Sequence, residues 1–244
     1  MLRAVWGAFG VIFWTIFLGT SAILISYLGA SQDFLNKIGV VWAKFLLWHC
    51  GVKVELEGLE NLESIETCVF VANHQSHFDI PSIIANLPKQ VRMVAKEELA
   101  KIPIFGTCIK RAGHITINRS NRREAIKSMR NAELRMKEEK ICPYIFAEGT
   151  RSEDGTLLPF KKGAFVIATS TKAPIIPMAI WGSKDILPKG NLKIHSGKVR
   201  IRILKPILTE EMKEFTKEEI MNLTRNKIEL ALEEIKSNFS KKII

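Results

Sequence analysis

Cysteine is scarce in this chain: there are four in 244 residues, at positions 50, 68, 108 and 142. No two of them stand as Cys-x-x-Cys, so neither a zinc site nor a disulfide framework is suggested. They fit a reduced setting, as small buried hydrophobes. No Gly-x-Ser-x-Gly occurs, which removes the strand-to-helix elbow that presents the nucleophile of serine acyl hydrolases. No carboxylate-rich cluster accompanies the histidines, and His49, His114 and His195 stand far from the others. Both facts weigh against a metal-dependent hydrolase ligated through His74, His77 and Asp79. Repeats and low-complexity linkers are absent as well.

Charge itself is missing from Ala4 to Gln32, and the run from Val5 to Leu18 is apolar on every face. That stretch exceeds the ~20 residues needed to cross a bilayer's hydrocarbon core. It is too long and too aromatic for a cleaved signal peptide, and too uniformly hydrophobic for a core helix with one solvated face. A second apolar segment, Phe34 to His49, carries only Lys37 and Lys44, with Trp42 and Trp48 suited to a membrane interface. Residues 1–50 therefore read as an N-terminal two-helix membrane anchor that need not cross fully.

Acidic residues are in deficit, 25 against 36 basic ones, which gives a formal charge of +11 and a pI of about 9.6. Such an excess calls for an anionic partner: nucleic acid, anionic lipid or a phosphorylated substrate. The excess is uneven, since residues 89–130 carry eleven Lys and Arg against three Glu, while residues 51–88 are net acidic.

After Gly51 the pattern becomes that of an α/β domain covering residues 51–244. Strands are expected at Val52 to Glu57, Cys68 to Ala72, Gln90 to Ala95, His114 to Arg119, Ile141 to Ala147, Ile175 to Ile180 and Val199 to Ile203. Helices are expected from Lys96, from Asn121-Arg-Arg-Glu124 to about Glu139, from Gly163 to about Thr171, and after Thr216-Lys-Glu-Glu219. Alternating strands and helices predict a single sheet with helices packed on it.

Three strand exits carry polar groups, and such exits are where α/β sheets place their chemistry. The first is Val71-Ala-Asn-His-Gln-Ser-His-Phe-Asp79. His74 with Asp79 makes a general base, because an imidazole accepts a proton near neutral pH while a carboxylate fixes its tautomer. Ser76-x-x-Asp79 also fits a capping box that opens a helix at His77, and the residues alone leave both readings open. The second exit ends in Asn118-Arg119 and the third is Glu148-Gly-Thr-Arg-Ser152. The third suits phosphate: Gly149 admits backbone N–H groups, Thr150 and Ser152 bring hydroxyls, and Arg151 brings a bidentate fork. Arg119 and Lys161 add positive charge, whereas Glu148 would repel an anion and is expected to orient backbone or Arg groups, or a substrate hydroxyl.

Four blocks, in order, resemble the glycerolipid acyltransferase family, on the side of the bacterial 1-acyl-sn-glycerol-3-phosphate acyltransferases. They are Asn73-His74-Gln-Ser-His-Phe-Asp79, Gly113-His-Ile-Thr-Ile-Asn-Arg119, Phe146-Ala-Glu148-Gly149-Thr150-Arg151-Ser152, and Ala173-Pro174-Ile-Ile-Pro177-Met, with Pro159-Phe-Lys161-Lys-Gly163 after the third. The resemblance implies transfer of a fatty acyl chain from an acyl-CoA or acyl carrier protein thioester to the sn-2 hydroxyl of lysophosphatidic acid, yielding phosphatidic acid. Glycerol 3-phosphate or another lysophospholipid is the alternative acceptor. It also implies that His74 acts as base with Asp79 orienting it, without an acyl-enzyme. Arg119, Glu148, Gly149, Thr150, Arg151 and Lys161 would hold the glycerol phosphate, and Pro174 and Pro177 would shape the acyl pocket or be structural. No metal, no resident cofactor and no nucleic acid are implied, and the setting would be the cytoplasmic face of the membrane. A non-enzymatic membrane-surface module using the basic patch is the remaining rival. His77 has no assigned role.

Overall fold

The structure, a computed structural model, describes residues 2–118 and 121–240. Helix α1 (Leu2–Tyr27) and α2 (Gln32–Cys50) form a hairpin that leads into β1 (Val52–Glu57). Then come β2 (Val69–Ala72), α3 (Asp79–Asn86), β3 (Val91–Lys96), α4 (Phe105–Arg111), β4 (Ile115–Ile117), α5 (Arg122–Glu139) and β5 (Cys142–Phe146). The chain ends with α6 (Gly163–Thr171), β6 (Ile175–Trp181), α7 (Ser183–Ile186), β7 (Gly197–Ile203), α8 (Thr209–Met212) and α9 (Lys217–Ser240). The sheet runs β1-β7-β6-β2-β5-β3-β4, parallel throughout except where β6 meets β7. The expected single α/β sheet is thus what forms. The helix expected at Lys96 is a 3-10 turn, Glu97–Lys101, followed by α4.

Alternation along each strand divides the core between two faces. Val69 and Val71 point to one side with Ile145, Phe165, Ile167, Ile228 and Leu232, under α5, α6 and α9. Phe70 and Ala72 point to the other with Tyr144, Met178, Ile83 and Leu46, under α2 and α3. Because the central parallel strands are covered on both faces, they read as unbroken apolar runs. Two caps match their sequence signatures to different degrees. Thr216 and Glu219 make both bonds of a capping box at α9, Glu219 N to Thr216 Oγ1 at 3.3 Å and Thr216 N to Glu219 Oε2 at 2.7 Å. At α5, Asn121 Oδ1 accepts from the amides of Arg123 and Glu124, but Glu124 turns to Asn118 instead.

The anchor differs from expectation in its second helix. Among the described residues, α1 is the one helix long and apolar enough to cross a membrane, and its Trp6, Phe9, Phe13 and Phe17 are exposed along one face. Helix α2 buries Ala43, Leu46, Leu47 and Cys50 in the same core as the sheet. The pair is therefore no free-standing anchor: α2 belongs to the domain and fastens α1 to it. Trp42 Nε1 donates to Thr15 Oγ1 at 3.1 Å, Trp14 stacks on Phe45 at 4.4 Å, and His49 Nε2 lies 2.9 Å from the Trp6 carbonyl. Gly10 is required at the last contact, since a Cβ there would sit 2.0 Å from the His49 ring.

The hairpin's turn is tied to the sheet by charge. Arg92, the bulkiest fully buried side chain, donates from Nη2 to Asp33 Oδ1 at 2.6 Å and from Nη1 to the Val91 carbonyl at 3.1 Å. A buried guanidinium is costly without its partner, although the half-exposed Asp33 keeps some of that cost back. We expect Asp33→Ala to destabilise the domain by about 3 kcal/mol, read from denaturant or thermal unfolding in detergent. The double change Asp33→Ala with Arg92→Met should recover most of the loss; no recovery would show that the pair is not the cause.

Candidate active site

Strand β2 ends at Ala72, and the residues that follow are fixed by side-chain bonds rather than by a regular element. Asn73 extends the sheet by one rung, with Nδ2 to the Ile180 carbonyl at 2.9 Å and its Oδ1 accepting from Ile180 N at 2.8 Å. His74 is then held at three points. Its amide donates to Glu148 Oε1 at 2.6 Å, its carbonyl accepts from Ser152 N at 2.9 Å, and its ring lies parallel to Phe146 at 3.8 Å.

Nδ1 of His74 donates to Asp79 Oδ2 at 2.8 Å. The same oxygen accepts from the amides of Gln75 at 2.7 Å and Ser76 at 2.9 Å. Asp79 is fully buried and is the first residue of α3, where the helix dipole favours a carboxylate. Assigned from these bonds, the Nδ1–H tautomer leaves Nε2 as an acceptor with no protein partner among the described residues. Only half of the expected capping box forms: Asp79 Oδ2 accepts from Ser76 N, but the Asp79 amide goes to the Ser76 carbonyl at 3.2 Å and not to its hydroxyl. The helix starts at Asp79 rather than at His77: the Asp79 side chain reaches back to the amides of Gln75 and Ser76, while Ser76 Oγ accepts from Phe78 N and donates to the Leu187 carbonyl.

The third exit wraps the same turn. Glu148 is buried, with Oε1 on His74 N and Oε2 accepting from Leu158 N at 2.9 Å. Burial pushes its carboxyl up to about 7, those two amides oppose the rise, Asp79 adds to it and Arg225 opposes it. Both oxygens face backbone, so of the expected roles Glu148 fills that of orienting backbone groups. Gly149 has φ +71° and its amide donates to the Phe146 carbonyl at 3.0 Å, so it serves a turn rather than an anion. A Cβ there would also meet Lys161 Cε at 2.9 Å, which places the lysine beside the turn. The Ser152 hydroxyl is spent within the loop, on Asp154 Oδ1 and Gly155 N, and does not face outward as expected. Thr150 is exposed and Arg151 half-buried. Among the described residues neither Arg151 nor Lys161 has an ion-pair partner. Arg119 lies outside the described residues.

His77 is exposed, yet the protein around its ring removes water, and with the charges of Arg151 and His74 this lowers its pKa to about 4. It is neutral at neutral pH and borders Arg151. No three of His, Cys, Asp and Glu converge on a point among the described residues.

The fourth block lies in the sheet. Pro177 lies in β6 between β2 and β7, where its carbonyl accepts from Leu204 N, and Pro174 precedes the strand with its carbonyl on Val69 N. Both prolines thus serve the sheet, the structural of the two roles expected of them. An apolar cleft lies between the hairpin and the domain, walled by Leu18 and Ala22 of α1, Ile38 and Trp42 of α2, Ile80 and Ile84 of α3, Met93 and Ile109. His114 joins the wall with Nδ1 accepting from Met93 N at 3.0 Å. Its pKa is driven down to about 3 by burial and then by Arg92 and Arg135, so it adds no charge there. Sequence reasoning missed this cleft, along with Phe146, Leu158 and Arg225 as neighbours of the exit residues. Only Phe146 had a signal, from its place in the third block.

A family model described as Acyltransferase matches residues 53–181. The chain is 35% identical to a 1-acyl-sn-glycerol-3-phosphate acyltransferase of Cocos nucifera over 73% of this chain and 58% of that protein. It is 30% identical to the alpha form from Bos taurus over 82% and 70%. It spans about half to three fifths of the length of the plant relatives it matches. The crystal structure of the 1-acyl-sn-glycerophosphate (LPA) acyltransferase PlsC from Thermotoga maritima superposes with a TM-score of 0.80 at 29% identity, covering 96% of this chain and 95% of that one. The matched stretch runs from β1 through β6 and takes in every exit that surrounds His74, and by that match the chain belongs to the acyltransferase family.

Proposed function

We propose that the protein transfers a fatty acyl chain from a thioester to the sn-2 hydroxyl of 1-acyl-glycerol 3-phosphate, giving phosphatidic acid for phospholipid synthesis. The observation that carries this reading is the His74–Asp79 pair, a ring fixed through Nδ1 with Nε2 left as an acceptor, on a turn bonded through Ser152 N to the loop that carries Arg151; among the described residues neither Arg151 nor Lys161 has an ion-pair partner. The names of the relatives from Cocos nucifera and Bos taurus support the choice of acceptor.

The acceptor hydroxyl gives its proton to His74 Nε2 as its oxygen bonds to the thioester carbonyl carbon. Collapse of the tetrahedral adduct breaks the carbon–sulfur bond, and the thiolate leaves with the proton from the imidazolium. No acyl-enzyme forms. Base catalysis of this kind contributes ~10² to 10⁴ in rate. Asp79 keeps the tautomer that can accept the proton and steadies the imidazolium. Arg151 and Lys161 bind the phosphate, so that binding energy far from the reacting oxygen is used to orient it. Acyl-CoA and acyl carrier protein thioesters both meet these requirements. Helix α1 sits in the membrane with the site on the cytoplasmic face, where lysophosphatidic acid is drawn from the lipid and an acyl chain enters the cleft between α1, α2 and α3.

In detergent or lipid, thiol release from acyl thioester should require lysophosphatidic acid. His74→Ala should abolish it while unfolding behaviour is retained, and undiminished transfer would sink the mechanism. Arg151→Ala should raise the KM for lysophosphatidic acid, with a smaller loss on an acceptor that lacks phosphate; equal losses on both would remove Arg151 from the phosphate site. Glycerol 3-phosphate and other lysophospholipids serve as the comparison acceptors in the same assay. Gly39 lines the cleft and has nothing within 4 Å of where its Cβ would stand. Gly39→Leu should therefore shift donor or acceptor preference toward shorter chains with no loss of stability, since leucine suits a helix interior better than glycine by about 1 kcal/mol. An unchanged chain-length profile would move the acyl chain elsewhere.

A further inference from the structure

Between Ser152 and Lys162 the chain has no regular element, yet it supplies the Leu158 amide that holds one oxygen of Glu148. Its ends are fixed by Ser152 N on the His74 carbonyl and Lys161 N on the Ala147 carbonyl. Its middle is fixed from α9, where Arg225 Nη2 donates to the Leu157 carbonyl at 3.2 Å. The guanidinium is itself held one turn on by both oxygens of Glu229, at 2.9 and 3.2 Å. The bonds Glu229–Arg225–Leu157 and Leu158–Glu148–His74 thus run from the C-terminal helix to the backbone of the histidine, joined by one peptide unit. Arg225 lies outside residues 53–181, the stretch that matches the family model.

The geometry points to Arg225 as a positioning residue: through Leu157 and Leu158 it seats Glu148 on the His74 amide and so fixes where the base stands. The inference rests on the acyl-transfer reading for its rate effects but not for its structural ones. Electrostatics give it a second consequence. The charged groups acting on Glu148 are Asp79, which raises its pKa, and Arg225, which lowers it, with the Lys161 chain packed beside Gly149. Removing Arg225 therefore raises the Glu148 pKa further above about 7, so that more of it is protonated at neutral pH. A protonated carboxyl is a weaker acceptor for the His74 amide than a carboxylate, and the seat loosens.

The test uses the full chain in lipid with Arg225→Gln and Arg225→Lys. The Gln variant should lose roughly tenfold in kcat, the scale expected of a sub-ångström misplacement, with acceptor KM within about twofold. The acid limb of its kcat–pH profile should move to higher pH, and the Lys variant, which restores the charge, should bring the limb back. Unaltered kcat, a KM effect alone, or limbs that stay put in both variants would overturn the assignment. Hydrogen exchange of the peptides containing His74 and Leu158 gives a readout without substrate. It should quicken in Arg225→Gln while the β2, β5 and β6 amides stay protected. Unchanged exchange at those peptides, or loss of protection across the sheet, would refute positioning. Should the wild-type protein transfer no acyl group to any acceptor, the functional reading falls and the exchange result alone decides for or against Arg225.

Discussion

One carboxylate oxygen, Asp79 Oδ2, gathers three donors: the His74 ring and the amides of Gln75 and Ser76. Most of the site's geometry depends on that gathering. A five-residue separation would put His74 and Asp79 on different faces of a helix. The turn instead folds Asp79 back, and the amides it satisfies are those that a tight turn would otherwise bury without partners. The carboxylate thus shapes the loop that carries its own histidine. Removing it would cost the backbone of the turn as well as the tautomer of the ring, because two buried N–H groups would lose their acceptor.

Helix α3 joins this turn to the cleft. Its first residue is Asp79, and Ile80 and Ile84, one helical turn apart, stand on the cleft wall. On the proposed function, the depth available to an acyl chain in the cleft is therefore measured from the base by a rigid element. The opposite walls come from α1 and α2, and α2 shares the domain's core. On the proposed function, membrane contact through α1 and the placement of the reacting group are mechanically continuous: the Arg92–Asp33 pair and the α1–α2 contacts keep the lipid-facing wall in register with the catalytic one.

Local elements were legible in the sequence where local chemistry decides them. The α6 boundaries, the α9 capping box and the apolar run of β5 follow from glycine, from Thr216 with Glu219, and from β-prone residues on a strand covered on both faces. The character of α2 was less so. Trp42 and Trp48 suggest an interface, but Trp42 turns inward to Thr15 and the cleft, and the spacing of Ala43, Leu46, Leu47 and Cys50 is that of a helix with a buried stripe. Side-chain partners fixed across the fold left no trace at all. Leu158 joins the site through its backbone amide, and the Arg225 guanidinium joins it through the Leu157 carbonyl, backbone groups that leave no mark in the sequence, so nothing at Leu157 or Leu158 announces the partner on α9.

Glu148 shows why such long-range bonds decide what a polar residue does. In a stretch that reads as a phosphate site, a glutamate is electrostatically out of place. Its two oxygens, however, each take a backbone amide, one on the first exit and one on the loop after the third. A glutamine could accept only one of these bonds and would set its own N–H₂ against the other donor. The carboxylate is thus required by the count of acceptors. Burial then lifts its pKa to about 7, which on the proposed function lessens the negative charge presented to the acceptor's phosphate at neutral pH. The cost falls on the brace: as pH drops below about 7 the carboxyl protonates and its hold on the His74 amide weakens. An acid limb in the rate would therefore carry the loss of this brace, whatever other group titrates with it.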